Sequence, residues 1–200
     1  DVYARHYNEK KPVVCVDEKP VALIGDTRDR ILPKKPGDIL KKDYEYERNG
    51  SVNVFCAVEP KAGKYTNTVT ERRCGSDFAK FIKSLAQKYS DAEKIILVLD
   101  NLATHKENHL IEHYGEEEGK KLWNKFEVHY TPKHGSWLNQ AEIAIGMYSR
   151  QCLGDDRVGT IENLKLQTSA WNKRANIKKI KINWRFTKSK ARKSLSYNPS

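Results

Sequence analysis

The amino-acid sequence predicts an α/β protein built on a mixed five-stranded sheet with helices on its faces. Two short segments, 13–16 and 95–99, are wholly apolar, as expected of strands buried on both faces, and each stops at an aspartate. Strand-like segments come first in the chain, and helical and strand-like segments alternate after them. A meander followed by such alternation is typical of a mixed sheet covered by helices.

The predicted strands are short and end at turn residues. They cover residues 13–16, 51–58, 65–70, 95–99 and 127–131. Between the first two lies a stretch, 18–50, that is rich in Pro, Gly, Lys and Asp. This composition favours irregular structure or a weak hairpin.

The predicted helices follow polar residues that can cap them. Ser76, Ser136 and Thr160 each precede apolar residues that recur at three- and four-residue steps. The segment 105–126 also has a helical pattern, with an acidic turn near 115–119. Helices are therefore expected on both faces of the sheet.

Composition describes one globular domain with an unevenly placed charge. In 200 residues, no apolar run approaches the roughly 20 residues that a membrane span needs. The formal charge is +11, and the tract 171–200 carries ten Lys or Arg and no acid. Such a tract suits contact with nucleic-acid phosphates, although a solvated basic tail is the plain alternative. We expect residues 1–200 to form a single domain with this basic C-terminal tract.

Cysteine and histidine usage argues against several other classes of protein. The four cysteines form no C-x-x-C pair, which indicates free thiols in a reducing cytoplasm. The six histidines add no zinc-ligand spacing, and no G-x-S-x-G motif of a serine hydrolase is present. The sequence therefore supports neither a zinc enzyme nor a Ser-His-Asp hydrolase.

Three carboxylates are the candidate catalytic residues. Asp17 and Asp100 directly follow the two apolar strands, and in open α/β sheets sites form at the carboxyl ends of strands. Glu142 lies on a predicted helix, at the margin of an apolar stripe where an unpaired carboxylate is costly to bury. Taken singly, each aspartate could simply begin a turn, and the glutamate could pair with a lysine.

Three ordered blocks of sequence make the combination more specific. They are Val-Asp-Glu-Lys at 16–19, Leu-Asp-Asn-Leu-Ala-Thr-His at 99–105, and His-Tyr-Thr-Pro-Lys-His-Gly-Ser-Trp-Leu-Asn-Gln-Ala-Glu at 129–142. Together they closely resemble the insertion sequence 630 branch of the mariner-like transposases. The resemblance extends from about Val13 to the Trp-Arg-Phe-Thr run at 184–187.

The resemblance implies a ribonuclease H-like catalytic domain that cuts and joins DNA. Its Asp, Asp, Glu triad falls on Asp17, Asp100 and Glu142, as ligands of two Mg²⁺ or Mn²⁺ ions. The interval before Glu142 is longer than usual in that family. The implied partners are transposon-end and target DNA, in a homodimer or larger synaptic complex. The family's helix-turn-helix region, which recognises transposon ends, is expected to lie outside this chain, and the implied location is the nucleoid of a bacterial or archaeal cytoplasm.

Several neighbouring residues are secondary candidates for contacting DNA or positioning the triad. They are Asn101, His105, Lys133, His134, Trp137 and Asn139. Trp137 could equally pack in the core, and His105 could merely cap a helix. Glu18 should point away from Asp17 and pair with a lysine. Asp155 and Asp156 are alternative ligands, although they resemble a turn.

Two rival functions remain open at this stage. A ribonuclease H or a resolvase could use a similar set of carboxylates. A decayed transposase could instead survive as a DNA-binding or assembly module without catalysis. Metal-dependent nicking of DNA separates the catalytic hypotheses from the module.

Overall fold

A central mixed sheet organises the chain. The computed structural model describes residues 2–31, 33–39, 43–133, 135–186 and 190. Its strands are β1 (Val13–Asp26), β2 (Tyr46–Glu59), β3 (Lys64–Thr70), β4 (Ile95–Leu99) and β5 (Phe126–Tyr130). They lie in the order β3-β2-β1-β4-β5, with β1 antiparallel to β2 and parallel to β4. The predicted mixed five-stranded sheet is confirmed.

Helices cover both faces of this sheet. They are α1 (Gly75–Lys88), α2 (Glu107–Tyr114), α3 (Glu116–Trp123), α4 (Ala141–Tyr148) and α5 (Ile161–Lys178), with short 3₁₀ turns at Val2–Ala4 and Ser136–Leu138 and a π-helical turn at Ser149–Leu153. One apolar core joins the sheet to α1, α2 and α3, and a second joins it to α4 and α5. Nowhere in the described ranges does a helix combine the length and apolarity that crossing a bilayer requires.

The hairpin of β1 and β2 is longer than the sequence predicts. Both strands have 14 residues and remain paired as far as Asp26 and Tyr46. Of the two alternatives predicted for 18–50, the hairpin is therefore the one observed, and irregular structure was wrong over β1 and the start of β2. Pairing of β1 with β4 ends at Cys15, so Pro20 lies where one edge of β1 is free, and there a proline costs no hydrogen bond to a neighbouring strand. A register shift between Ala22 and Ile24 absorbs the irregularity.

Three predicted features at helix ends have different outcomes. Thr160 is confirmed as a cap, because its hydroxyl accepts a hydrogen bond from the backbone N–H of Asn163 at 3.2 Å. Ser76 lies inside α1, whose N-cap is Cys74, and Ser136 opens the 3₁₀ turn rather than α4. The predicted acidic turn exists, since Gly115 separates α2 from α3 with a φ of 86° that a glycine adopts without strain.

The edge strand β3 is covered by two asparagines of α5. Asn172 accepts from the backbone N–H of Asn67 at 3.0 Å and donates to its carbonyl at 2.8 Å. Asn176 repeats both bonds at Tyr65, each at 2.8 Å. Asn172 and Asn176 are one helical turn apart, and this distance matches the two-residue step along the strand from Asn67 to Tyr65. These amides satisfy backbone groups that would otherwise offer an edge for pairing with another chain.

Cations of the basic tract alternate in sequence with Ile177, Ile180, Ile182, Trp184 and Phe186, which predicts that part of the tract packs against the domain while its cations face outward. The four cations expected to face outward are exposed, namely Lys178, Lys179, Lys181 and Arg185. Ile182, Trp184 and Phe186 are half-buried, but Ile177 is 77% exposed, so its predicted packing was wrong. Ile177 is still helical, and the buried stripe of α5 passes through Trp171 and Ala175 instead. The alternation typical of an extended segment therefore begins only after the end of α5.

The amide contacts at the edge strand make a first prediction. Replacing Asn172 or Asn176 by Ala should lower the free energy of unfolding by about 1–3 kcal/mol, because two backbone groups lose their partners. Urea unfolding measures the change. Asn163→Ala on the same helix is the control, since only its backbone N–H is used at the cap. Unchanged stability in both edge variants would show that water replaces the amides at no cost.

Candidate active site

The parallel pairing of β1 with β4 places two aspartates at one edge of the sheet. The aligned residues run from Val13 opposite Ile96 to Cys15 opposite Val98. Asp17 lies in β1 two residues after Cys15, and Asp100 lies two residues after Val98. Cys15 and Val98 both face the core shared with α4 and α5. Because side chains alternate along a strand, Asp17 continues that same face. Asp100 directly follows the last residue of β4, and its negative charge acts on the carboxyl of Asp17.

Glu142 approaches this edge from the first turn of α4. Asn139, which is fully buried, ties the start of that helix to the strand of Asp17. Its side-chain amide donates to the carbonyl of Val16 at 2.7 Å, and its oxygen accepts from the N–H of Ala141 at 3.1 Å. Glu142 itself is exposed, unlike the partly buried position expected from the sequence. A carboxylate at this place is accessible to solvent and to a ligand that binds from solvent.

The pKa of Asp17 depends on both of the other candidate acids. Burial raises the pKa of the Asp17 carboxyl to about 6, although its hydrogen bond from the N–H of Glu18 at 2.8 Å acts in the opposite direction. The negative charges of Asp100 and Glu142 raise this pKa further. Each of these charges disfavours the ionised form of Asp17. A cation placed among them would reverse that effect.

A chain of ion pairs lies behind Asp100. His105 is fully buried, with its Nδ1 atom 2.6 Å from Asp100 Oδ1 and its Nε2 atom 2.9 Å from Glu18 Oε1. Arg73 Nε lies 3.1 Å from the other oxygen of Glu18. Burial alone would lower the pKa of His105, but hydrogen bonding to Asp100 and Glu18 raises it to about 9. The imidazole therefore carries a positive charge between two carboxylates at neutral pH.

The partners of Glu18 correct one expectation and add a residue. Glu18 points away from Asp17, as alternation requires, but it pairs with Arg73 and His105 rather than with a lysine. Its position directly after Asp17 was the available signal in the sequence. Arg73 lies in the turn between β3 and α1, and nothing in the local pattern marks it. The sheet brings these residues together across long stretches of chain.

The remaining secondary candidates lie around this edge in different ways. Asn101 accepts a hydrogen bond from the ammonium of Lys106. Trp137 is 45% exposed, and its ring contacts that of Phe186 edge-on at 5.0 Å. Lys133 is exposed, and His134 lies outside the described residues. Of the alternative acids, Asp156 pairs with Arg30 at 3.3 Å near the far end of the hairpin.

The donor set at the edge fits a divalent metal ion in chemical type. Carboxylate oxygens are the ligands that Mg²⁺ prefers, and His105 occupies only the Oδ1 atom of Asp100. As the side chains stand, no group of three Asp, Glu, His or Cys residues within the described ranges is arranged to hold an ion. Asp17 and Asp100 therefore fit as metal ligands by chemistry and placement, whereas the third ligand stays a prediction.

Comparison with known families identifies the class of protein. The family described as DDE superfamily endonuclease matches residues 12–165, a span that contains all three carboxylates. The chain therefore belongs to the DDE superfamily endonuclease family. No curated protein matches it in sequence.

Solved structures of the Mos1 transposase have a similar fold. The Mos1 transposase paired-end complex with left transposon end matches with a TM-score of 0.54 and 14% identity, covering 84% of this chain and 52% of that one. The Mos1 mariner paired-end complex with Mn matches with a TM-score of 0.54 and 15% identity, covering 90% and 55%. The fold is thus ribonuclease H-like, as expected. The present chain spans about half the length of these transposase chains.

The raised pKa of Asp17 makes a second prediction. Since this pKa is higher in the folded state than its ordinary value of 3.8, Asp17 reduces stability as pH rises from about 4 to beyond 6. In EDTA at pH 7.5, Asp17→Asn should therefore raise the free energy of unfolding by about 2–3 kcal/mol. Denaturant unfolding of both proteins measures the difference, which should vanish near pH 4. Equal stability at pH 7.5 would contradict the proposed environment of Asp17.

Proposed function

We propose that this chain is the catalytic domain of a DNA transposase of the insertion sequence 630 branch, which cleaves DNA strands and joins them to a target. The observation that carries the proposal is the placement of Asp17 and Asp100 just beyond the parallel pairing of β1 with β4, with Glu142 in the first turn of α4 and its charge acting on Asp17. Membership of the DDE endonuclease family supports the reaction class. The three sequence blocks support the branch.

In this proposal the three carboxylates hold two divalent ions, Mg²⁺ or Mn²⁺. Such ions stabilise the charge on the attacking and leaving oxygens during displacement at phosphorus. His105 holds one oxygen of Asp100 from behind, which leaves the other oxygen for a ligand. Asn139 fixes α4 against β1, so the distance from Glu142 to Asp17 depends on that one side chain. The residues of the chain thus serve as ligands and supports rather than as nucleophiles.

The proposed partners are the DNA of the transposon ends and of the target, in a homodimer or larger synaptic complex. The paired-end complexes of Mos1 support this arrangement by analogy of fold. The exposed cations of the tract 178–185 are suited to phosphate contact. A bacterial or archaeal cytoplasm, close to the nucleoid, is the proposed location.

The proposed reaction makes a third prediction. The 200-residue chain should nick supercoiled plasmid DNA when Mg²⁺ or Mn²⁺ is added, and EDTA should stop it. Asp17→Asn, Asp100→Asn and Glu142→Gln should each lower the nicking rate at least about 100-fold, because a site built from three ligands loses one. Gel electrophoresis of the nicked product measures the rate.

A matched control separates ligand loss from a general change of charge. Glu117 also stands exposed in the first turn of a helix, α3, so Glu117→Gln repeats the change made at Glu142. It should nick like the unmodified chain. DNA binding with no nicking in either metal would favour a decayed binding module. Nicking that survives all three triad changes would place the active site elsewhere.

The basic tract makes a fourth prediction. Replacing the four exposed cations, Lys178, Lys179, Lys181 and Arg185, together by Gln should weaken DNA binding and reduce its salt dependence, because fewer counterions are released. Trp184→Ala should instead lower the melting temperature, since the ring packs 5.6 Å from that of Tyr3. Fluorescence anisotropy at several salt concentrations, together with thermal unfolding, measures both. An unchanged salt slope in the four-cation variant would reject a role for this tract in DNA binding.

A further inference from the structure

A lysine that the triad does not use is held in place at the same edge of the sheet. The Nζ atom of Lys106 lies 4.0 Å from the centre of the Tyr130 ring and donates a hydrogen bond to the side-chain oxygen of Asn101. Asn101 directly follows Asp100, and Lys106 directly follows His105, whose ring contacts Asp100. Asn101 and Lys106 are thus both held close to Asp100.

Tyr130 gives this lysine a fixed wall. It is the last residue of β5 and lies opposite Leu99, the last residue of β4. Its hydroxyl donates to the carbonyl of His105 at 2.8 Å, which joins the end of β5 to the turn before α2. The ring therefore cannot swing away without breaking a hydrogen bond. Lys106 consequently stands on the β5 side of Asp100, while Asp17 stands on the β1 side.

The described partners of the Lys106 ammonium are uncharged, although the negative charge of the neighbouring Glu107 acts on Tyr130. No carboxylate oxygen of the described residues lies within 4 Å of its ammonium, and both an amide oxygen and a tyrosine ring are uncharged partners. Other cations near the sheet are differently placed: Arg73 pairs with Glu18, and Arg157 pairs with Asp26. A positioned cation without an acidic partner, close to a cluster of acids, is suited to an anionic ligand.

We propose that Lys106, braced by Asn101 and Tyr130, binds a phosphate of the DNA strand that crosses the ends of β4 and β5 beside the carboxylates. The ligand is a phosphodiester of the substrate. It is bound beside the reacting phosphate, displaced from it by the spacing of neighbouring β-strands, about 4.8 Å. The proposal rests on the proposed function. It adds a binding residue that supplies positive charge where the triad supplies none.

The structure offers a matched control for this lysine. Lys83 lies over the ring of Tyr114 at 4.3 Å, so it makes the same kind of cation–π contact. It belongs to α1, and Tyr114 is the last residue of α2, whereas Lys106 is the N-cap at the other end of that helix, about 12 Å away along its axis. Lys83→Gln therefore removes the same charge and the same type of contact as Lys106→Gln, but away from the proposed strand path.

The test is binding of a short DNA duplex by fluorescence anisotropy in EDTA, at several salt concentrations. Lys106→Gln should lower affinity several-fold and reduce the slope of log affinity against log salt by about one, as expected for one lost phosphate contact. Lys106→Glu should lower affinity further, and Lys106→Arg should restore the slope. Lys83→Gln should bind like the unmodified chain. Thermal unfolding confirms that each variant is folded.

Two results would overturn the proposal. One is an unchanged affinity and slope in both Lys106→Gln and Lys106→Glu. The other is an equal loss in Lys83→Gln, which would mean that any surface charge acts alike. Metal-dependent nicking by the unmodified chain is measured separately. Nicking with no effect of Lys106 rejects this inference alone, whereas a Lys106 effect on binding without nicking rejects only the proposed chemistry.

Discussion

The parallel pairing of β1 with β4 is the constraint on which the rest of the site depends. It is only a few residues long, yet it brings Asp17 and Asp100 close together just beyond the paired residues. Two carboxylates held this way repel each other, and burial makes the ionised form of Asp17 costlier still. A fold selected for stability alone would place amides here. The arrangement therefore has the form of a site that gives up stability for the binding of a cation.

The surrounding structure holds these acids in position from two directions. Behind Asp100, the charged ring of His105 is held between Asp100 and Glu18, and Arg73 closes the series at the surface. Acids and bases alternate along this series, so no buried charge in it stands alone. From the other side, Asn139 joins α4 to β1. The first contact fixes one candidate ligand, and the second fixes the helix that carries another.

The sequence predicted the sheet and its edge but not the contacts behind it. Continuous apolar runs that end at an aspartate are a local pattern, and they located Asp17, Asp100 and the strands that carry them. The pairing of Glu18 with Arg73 and His105 joins segments that only the folded sheet brings together, and no local pattern encodes it. The full length of β1 was missed because the composition of the whole stretch 18–50 was taken together, although its prolines and glycine at 33, 36 and 37 lie beyond the end of β1. Pro20 lies within β1, where one edge of the strand is free. The position of Ile177 was missed because a helix and an extended segment meet at that point, and each has its own period.

Acidic and basic groups lie at different places on this molecule, so the proposed DNA binding and the proposed chemistry use different residues. The three carboxylates repel the phosphate on which they are proposed to act, so affinity for DNA has to come from cations outside the triad. Lys106 and the exposed cations of the tract 178–185 stand outside it, and the acids of the triad neutralise none of them. Such cations attract phosphate at any metal concentration, whereas the carboxylates would attract it only once divalent ions are bound. DNA would therefore be held on the domain before the reaction starts, and divalent ions would decide when the held strand is cut.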